Sequence, residues 1–388
     1  MTAKNTIKDI DYSKIVDPGV SSLFYQEMTN KIISYIQNNN FATFQEIISK
    51  VGGGERRVIR LLDQMVNLGL LEFKSSKFIL YGLMTNYPIR ISDVECAACE
   101  SMTVDIDGKM KPLLHFMKAV INDRPKSTFI FDQRPVNVET VIRRVAYAIR
   151  RGDIQNKRIA IIGDDDLTSI AIARTDMAKE IVVFDIDDRI TSLIRKLSKM
   201  HKLNIKTVQQ DLLKDLPSEF TNYFDTFITD PTPTVKPLTL FTNRGLQMLK
   251  REQGKIGYIS LYPSHMGFNA DFQKKLGRMN LLITDVLPFF NQYEIIYHTL
   301  TDHDIELMKK YNAYQTSISF FESLMRIETT SSSKEISTKY SQGDLLGKAT
   351  KQVLKDSKKD PVLSDKSGSE FIRKSAENLS KMLKDSKK

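Results

Sequence analysis

From residue 158 onward the chain alternates short β-branched runs with helical segments, and this alternation constrains the fold more than any other feature. RIAIIG reads as a strand and LTSIAIAR as a helix, EIVVFDID as a strand and RITSLIRKLSKMHK as a helix. IKTVQQD and FDTFITD read as strands, followed by a helix over 238–250. KIGYISLY is a further strand, followed by a helix over 269–278, then the strands LLITDVLPFF and TSISFFESLMRIE. The runs are short and apolar, as strands buried on both faces of a parallel sheet are. Repeated right-handed βαβ units predict a doubly wound α/β sheet. Ligands of such sheets bind beyond the carboxyl ends of the strands, at the switch point.

Acidic residues collect at that edge. Gly163-Asp164-Asp165-Asp166 follows the first strand, Asp185 and Asp187 end the second, Asp211 ends the third, and Asp230-Pro231-Thr232-Pro233-Thr234 follows the fourth. A glycine-rich first loop lets backbone N–H groups approach a phosphate or carboxylate. Three carboxylates there repel such anions, so NAD and ATP fit poorly and a cationic ligand fits well. Helix capping by Asp165 or Asp166 would use one carboxylate and leave two unexplained. Crowded carboxylates raise one another's pKa unless cations balance them. Asp185 stands where a carboxylate binds ribose hydroxyls. Asp211 is suited to accept from an adenine amino group, and Asp230, stiffened by its prolines, faces the reacting group.

The rest of the chain divides by composition. Residues 1–20 are polar and expected to be flexible. Residues 21–85 read as three helices and a hairpin, a winged-helix pattern, with Thr43 and Glu46 forming a capping box before the second helix. Arg56, Arg57 and Arg60 on the third helix would meet phosphate if the unit bound DNA, while an accessory or dimerisation role needs no such contact. Residues 86–157 connect to the sheet and end in a capping helix, VNVETVIRRVAYAIRRGDI; 158–330 form the α/β domain. Residues 331–388 are a Lys/Ser-rich tail that carries more than half of the +10 net charge, with one amphipathic stretch, SEFIRKSAENLSKMLKDS. Cys96 and Cys99 have half the spacing of a zinc knuckle and no second pair, the five histidines form no ligand pair, and no metal is expected. No apolar run of spanning length and no signal peptide is present, so a cytoplasmic protein without a membrane partner is expected.

Several blocks stand in a recognisable order: Phe131-Asp132-Gln133, Arg151-Gly152-Asp153, Gly163-Asp-Asp-Asp-Leu-Thr-Ser169, Asp185-Ile-Asp187, Thr229-Asp-Pro231 with Thr234, Phe290-Asn291 with Tyr293, and Ser323-Leu-Met-Arg-Ile-Glu328. With them, residues from about 20 to 330 resemble the branched-chain polyamine synthases, the N4-bis(aminopropyl)spermidine synthases of archaea and thermophilic bacteria. The resemblance implies a winged-helix N-terminal domain and a Rossmann-like, methyltransferase-type catalytic domain. It implies an aminopropyltransferase that uses decarboxylated S-adenosylmethionine to alkylate a spermidine-type polyamine and releases methylthioadenosine. Donor and acceptor are both polycations without carboxylates, in agreement with the anionic first loop.

Under that resemblance Asp166 or Asp230 takes the proton of the attacking nitrogen. Asp132, Gln133, Asp164, Asp165, Thr232 and Thr234 bind the polyamine, and Gly163, Asp164, Asp185, Asp187 and Asp211 bind the donor. The Asp230-Pro-Thr-Pro-Thr234 loop departs from the family's Asp-Pro-Pro and alters the surroundings of the acceptor. A homodimer is expected, and nucleic acid is not favoured as a partner. The alternatives are a methyltransferase using intact S-adenosylmethionine and a polyamine-sensing DNA-binding regulator.

Overall fold

A computed structural model describes residues 9–14, 22–51, 54–80, 104–106, 108–128, 131–261, 269–294, 301–313, 318–337 and 339–341. In chain order these form α1 (Ser22–Asn39), α2 (Phe44–Val51), α3 (Glu55–Asn67), β1 (Leu71–Lys74), β2 (Lys77–Leu80), α4 (Lys111–Val120) and α5 (Val138–Arg150). There follow β3 (Arg158–Ile162), α6 (Thr168–Arg174), β4 (Glu180–Asp185), α7 (Asp188–His201), β5 (Ile205–Gln209), β6 (Thr226–Thr229), α8 (Val235–Met248) and β7 (Ile256–Leu261). The last are α9 (Asn269–Arg278), β8 (Leu281–Glu294), α10 (Asp302–Lys310) and β9 (Ile318–Thr329). Cys96, Cys99, His265, His298 and the amphipathic stretch of the tail lie outside the described residues.

The chain divides into two compact units, each assembled from separate stretches. The first comprises residues 1–105, 262–266 and 287–323, and the second 106–261, 267–286 and 324–388. Residues 106–157, read from sequence as a connector, therefore count with the sheet, and 287–323, read as part of the α/β domain, count with the N-terminal elements.

In the first unit, apolar residues at helical spacing on α1 (Tyr25, Met28, Ile32, Ile36), α2 (Ile47, Ile48) and α3 (Val58, Leu61, Leu62, Met65) enclose a core with Phe78 of the hairpin. The Thr43–Glu46 capping box forms: Glu46 N–H donates to Thr43 Oγ1 (3.2 Å), and Thr43 N–H to Glu46 Oε2 (2.7 Å). Ser75 and Ser76, at φ 51° and 60°, close the hairpin with both central residues left-handed.

Helix α10 was not anticipated from the sequence; His303 stands in its first turn. Its buried face is narrow, Leu307 and Met308 with buried Asp304, so periodicity alone is weak. The legible signal was the start, where Thr301 and Asp304 cap each other reciprocally. Asp304 is fully buried and receives Arg60 through Nε (2.6 Å) and Nη2 (3.0 Å), with Arg56 Nε at 3.3 Å. Two of the three arginines expected to face phosphate are thus paired within their own unit.

The large sheet has the order β5-β4-β3-β6-β7-β9-β8. Neighbouring strands from β5 to β7 are parallel, with Ile161 opposite both Val183 and Ile228. The chain runs outward from β3 to β5 and returns to β6 on the other side, so the switch point lies between β3 and β6. One layer of the core joins Ala160, Ile162, Val182, Phe184 and Phe227 to Leu238 and Leu246 of α8 and Phe272 and Leu276 of α9. Phe227 fills its niche closely. A Cβ built on Gly257 in β7 would stand 2.4 Å from its ring, and one on Gly245 in α8 2.7 Å.

A buried ion pair links two of the sequence blocks. Arg326 of β9 donates to both carboxylate oxygens of Asp153 (2.8 and 3.0 Å), and Tyr258 Oη donates to Oδ2 at 2.5 Å. Burial and the Asp153 charge push the Tyr258 hydroxyl up, so it remains a donor. Helix α8 begins at Val235, three residues before the expected start, because Pro237 is tolerated in a first turn. No helix among the described residues is long and apolar enough to cross a membrane.

Candidate active site

The switch point is built by the turn after β3. Gly163, at φ 76°, donates to the Phe184 carbonyl (2.9 Å) and sends the chain away from the sheet. Leu167, at φ 58°, then caps α6 through its backbone without a side-chain bond. The acidic residue that serves the helix start is Asp164, whose carboxylate accepts from Ser169 N–H at 3.2 and 3.3 Å. The sequence reading gave that task to Asp165 or Asp166. The left-handed turn at Leu167 delays the helix by a residue and brings Asp164 over its first N–H groups. Asp165 and Asp166 are left for another purpose.

Asp166 is buried. Its Oδ1 accepts from Val136 N–H (2.7 Å) and its Oδ2 from Arg144 Nη1 (2.9 Å). Arg144 Nη2 also donates to Asp230 Oδ2 (2.5 Å), in the loop after β6, and to Ser260 Oγ of β7 (3.0 Å). The guanidinium is 4% exposed, so these bonds are made away from water.

Asp185, at the tip of β4, accepts Asp164 N–H on Oδ2 and Asp187 N–H on Oδ1, both at 2.9 Å. Asp187 caps α7 through Arg189 N–H (3.0 Å), is paired with the Arg189 guanidinium, and receives Gln133 Nε2 (2.8 Å). Gln133 Oε1 in turn accepts from Thr128 N–H (3.1 Å) and Arg189 Nη2 (3.3 Å). Asp187 and Gln133 thus serve each other and the start of α7. Asp211 caps its own turn after β5 by accepting Leu213 N–H (2.9 Å). Thr232 Oγ1 donates to Asp132 Oδ2 (2.8 Å), and Asp132 sits at φ 52°. Thr234 is the residue before α8, with no side-chain capping bond.

The electrostatics separate these carboxylates into two groups. Burial pushes Asp164 well above the usual carboxylate range, with Asp166 and Asp185 adding to the shift against its bonds from Ser169. Burial and the charges of Asp166, Asp230 and Asp185 push Asp165 up as well. Burial lifts Asp166 to about 6, with Arg144 pulling down and Asp230 pushing up. Burial lifts Asp185 to about 6 against the N–H groups it accepts. Asp187 differs: burial works against it, yet Arg189 and Gln133 hold it below the ordinary value. The first four, with Asp230, form one anionic cluster; Asp187, Asp211 and the Asp132–Thr232 pair each have their own structural partners. The cluster can hold cationic groups and can accept a proton near neutral pH.

Sequence reasoning missed Arg144, Ser260 and Arg124, whose charge lowers Asp165 and Asp166. A signal for Arg144 was present. In VIRRVAYAIR it stands among Val141, Ile142, Val145 and Ala148, all buried, where a solvated arginine has no place.

Comparison with known proteins gives consistent matches. Residues 112–351 match the family described as the branched-chain polyamine synthase A C-terminal domain. N(4)-bis(aminopropyl)spermidine synthase of Thermococcus kodakarensis is 36% identical over 245 residues, 61% of this chain and 69% of that protein. The enzyme of the same name from Methanocaldococcus jannaschii is 35% identical over 246 residues, 61% of this chain and 68% of that protein. Among solved structures, a mutein of the Thermus thermophilus branched-chain polyamine synthase, in complex with N4-aminopropylspermidine and 5'-methylthioadenosine, superposes with a TM-score of 0.64. It is 25% identical and the match covers 82% of this chain and 91% of that one.

Proposed function

This chain belongs to the branched-chain polyamine synthase family, and from that premise we propose that the carboxylates at the ends of β3, β4 and β6 are where an aminopropyl group meets its acceptor. The chain is an aminopropyltransferase: the group passes from decarboxylated S-adenosylmethionine to a polyamine nitrogen, and methylthioadenosine leaves. The acceptor is a spermidine-type polyamine and the product a branched one.

A single observation carries the site assignment. Asp164, Asp165, Asp166, Asp185 and Asp230 crowd one buried or half-buried edge, and burial, with repulsion from neighbouring carboxylates, pushes four of them upward. Such a site is short of cations, and both substrates supply them.

The chemistry follows from charge. The acceptor nitrogen gives its lone pair to the aminopropyl methylene, the carbon–sulfur bond breaks, and its electrons return to sulfur as a neutral thioether. A sulfonium leaves without help, so no general acid is needed. The obstacle is the proton on the acceptor, which is an ammonium at neutral pH. Asp166 or Asp230 takes that proton or passes it to water. Asp164, Asp165 and Asp132 hold the remaining ammonium groups by charge-assisted bonds, with Gln133, Thr232 and Thr234 completing the acceptor side. Asp185 receives the ribose of the donor, beside Gly163 and Asp187, and Asp211 its adenine. Holding two cations in line lowers the barrier by roughly 7–11 kcal/mol in favourable cases.

The N-terminal helices and hairpin support a winged-helix reading with an accessory role, since Arg56 and Arg60 are engaged by Asp304. We also assign a homodimer in the cytoplasm. Edge strand β8 exposes Leu282, Ile283 and Val286 and has no lysine or arginine to blunt it, a surface that a second copy would cover.

Incubation of the purified chain with decarboxylated S-adenosylmethionine and a polyamine panel, followed by mass spectrometry, tests the function. Methylthioadenosine with an aminopropylated branched product is expected. Methyl transfer from intact S-adenosylmethionine, or no methylthioadenosine with any polyamine, would refute it.

A further inference from the structure

Arg144 stands out because its position is difficult to explain as packing. A guanidinium inside a site for two polycations repels both substrates, and burying it is costly unless its bonds are complete. It nevertheless reaches residues that follow two strands and one within a third: Asp166 after β3, Asp230 after β6 and Ser260 in β7. We propose that Arg144 is a positioning residue for aminopropyl transfer, which fixes Asp166 and Asp230 side by side and keeps one of them ionised to receive the acceptor's proton. This rests on the function proposed above.

The geometry supports the assignment in two ways. Asp166 and Asp230 follow strands that are neighbours in the sheet, on either side of the switch point, and both bond to the same planar fork. Val136 N–H holds the other oxygen of Asp166, so the orientation of that carboxylate is set from both sides. Charged groups that act on Asp166 include Asp164 and Asp165 on its own loop, Asp230 from the loop after β6, Arg124 from the segment after α4, and Arg144 from α5. Removing Arg144 leaves Asp166 beside the charge of Asp230 without the cation that lowers it, so Asp166 holds its proton more tightly.

The test is the pH profile of turnover in Arg144→Met and Arg144→Lys, with wild-type activity established first. Wild-type protein that forms no methylthioadenosine would refute the function and not this role alone. In Arg144→Met the acid limb of kcat is expected to move upward by about one pH unit or more, and kcat to fall roughly 10²-fold. The acceptor KM measured above that limb is expected to stay level or fall, because a positive charge has left a cation site; a collapsed site would raise it. Arg144→Lys is expected to keep the limb near its wild-type position and lose about tenfold in kcat, since one ammonium cannot reproduce the fork. A Met variant whose limb does not move would overturn the proposal. Should that variant fail to fold, a Lys variant with wild-type kcat would do the same.

Discussion

Asp164 is a residue whose charge the fold has reason to reject. It is 1% exposed, and its bonds from Ser169 only partly offset the burial that raises its pKa. The folded chain therefore binds this proton more readily than the unfolded chain, and the group's contribution to stability declines as pH rises above the unfolded value near 3.8. Asp164→Asn removes that penalty and retains an acceptor for Ser169. Its melting temperature at pH 7 should exceed wild type by about 2–6 °C, and the gain should fade toward pH 4; a lower melting temperature at pH 7 would contradict the reading. Asp166→Asn and Asp230→Asn should each lower kcat by roughly 10²–10⁴, measured by methylthioadenosine release, and full turnover in both would dismiss them as proton acceptors. The acidic triad was legible in the sequence because three adjacent carboxylates exceed what a helix cap uses. Which one capped the helix was not, because that depends on the left-handed turn at Leu167. Arg144 escaped because an arginine in an amphipathic helix usually faces water; its apolar neighbours hinted otherwise, and its long-range partners show it.

Among the elements, β6 shows how tightly the sheet is matched to its helices. Phe227 lies between Gly257 of the next strand and Gly245 of α8, where a methyl group has no room. Gly257→Ala forces either the ring or the strand to shift and should destabilise by about 1–3 kcal/mol. A urea midpoint equal to wild type would show that Phe227 can move freely. Strands β3, β4, β6 and β7 were readable because each is a short apolar run buried throughout or nearly so, bounded by turn residues, whereas β5 is only partly buried. Helix α4 was hidden in a stretch that reads as a connector, having only Leu113, Met117 and Val120 buried. Helix α10 was hidden for a similar reason, and the early start of α8 by its proline. Periodicity finds elements that bury much apolar surface and passes over those held by a few contacts.

At the scale of the whole molecule, charge placement governs behaviour with pH. Asp166 and Asp185, both at about 6, lose their charge below that value. With both substrates saturating, kcat should therefore fall by about tenfold between pH 8 and pH 5 as Asp166 takes up its proton; a flat profile would separate Asp166 from proton transfer. Asp187, Asp225 and Asp304 lie below the ordinary value because each has cationic partners, so their contribution to stability persists in this range and is lost only in stronger acid. The overall α/β order was legible from alternation alone, whereas the return of residues 287–323 to the first unit was not, since it depends on pairing between distant segments. The bond between Asp153 and Arg326 has a further consequence for biosynthesis. Arg326 lies in the last strand, so a nascent chain emerging from the ribosome holds Asp153 without its counterion until nearly all the described residues have been translated. Early closure around that aspartate would be penalised, which delays completion of this half of the protein until its final strand arrives.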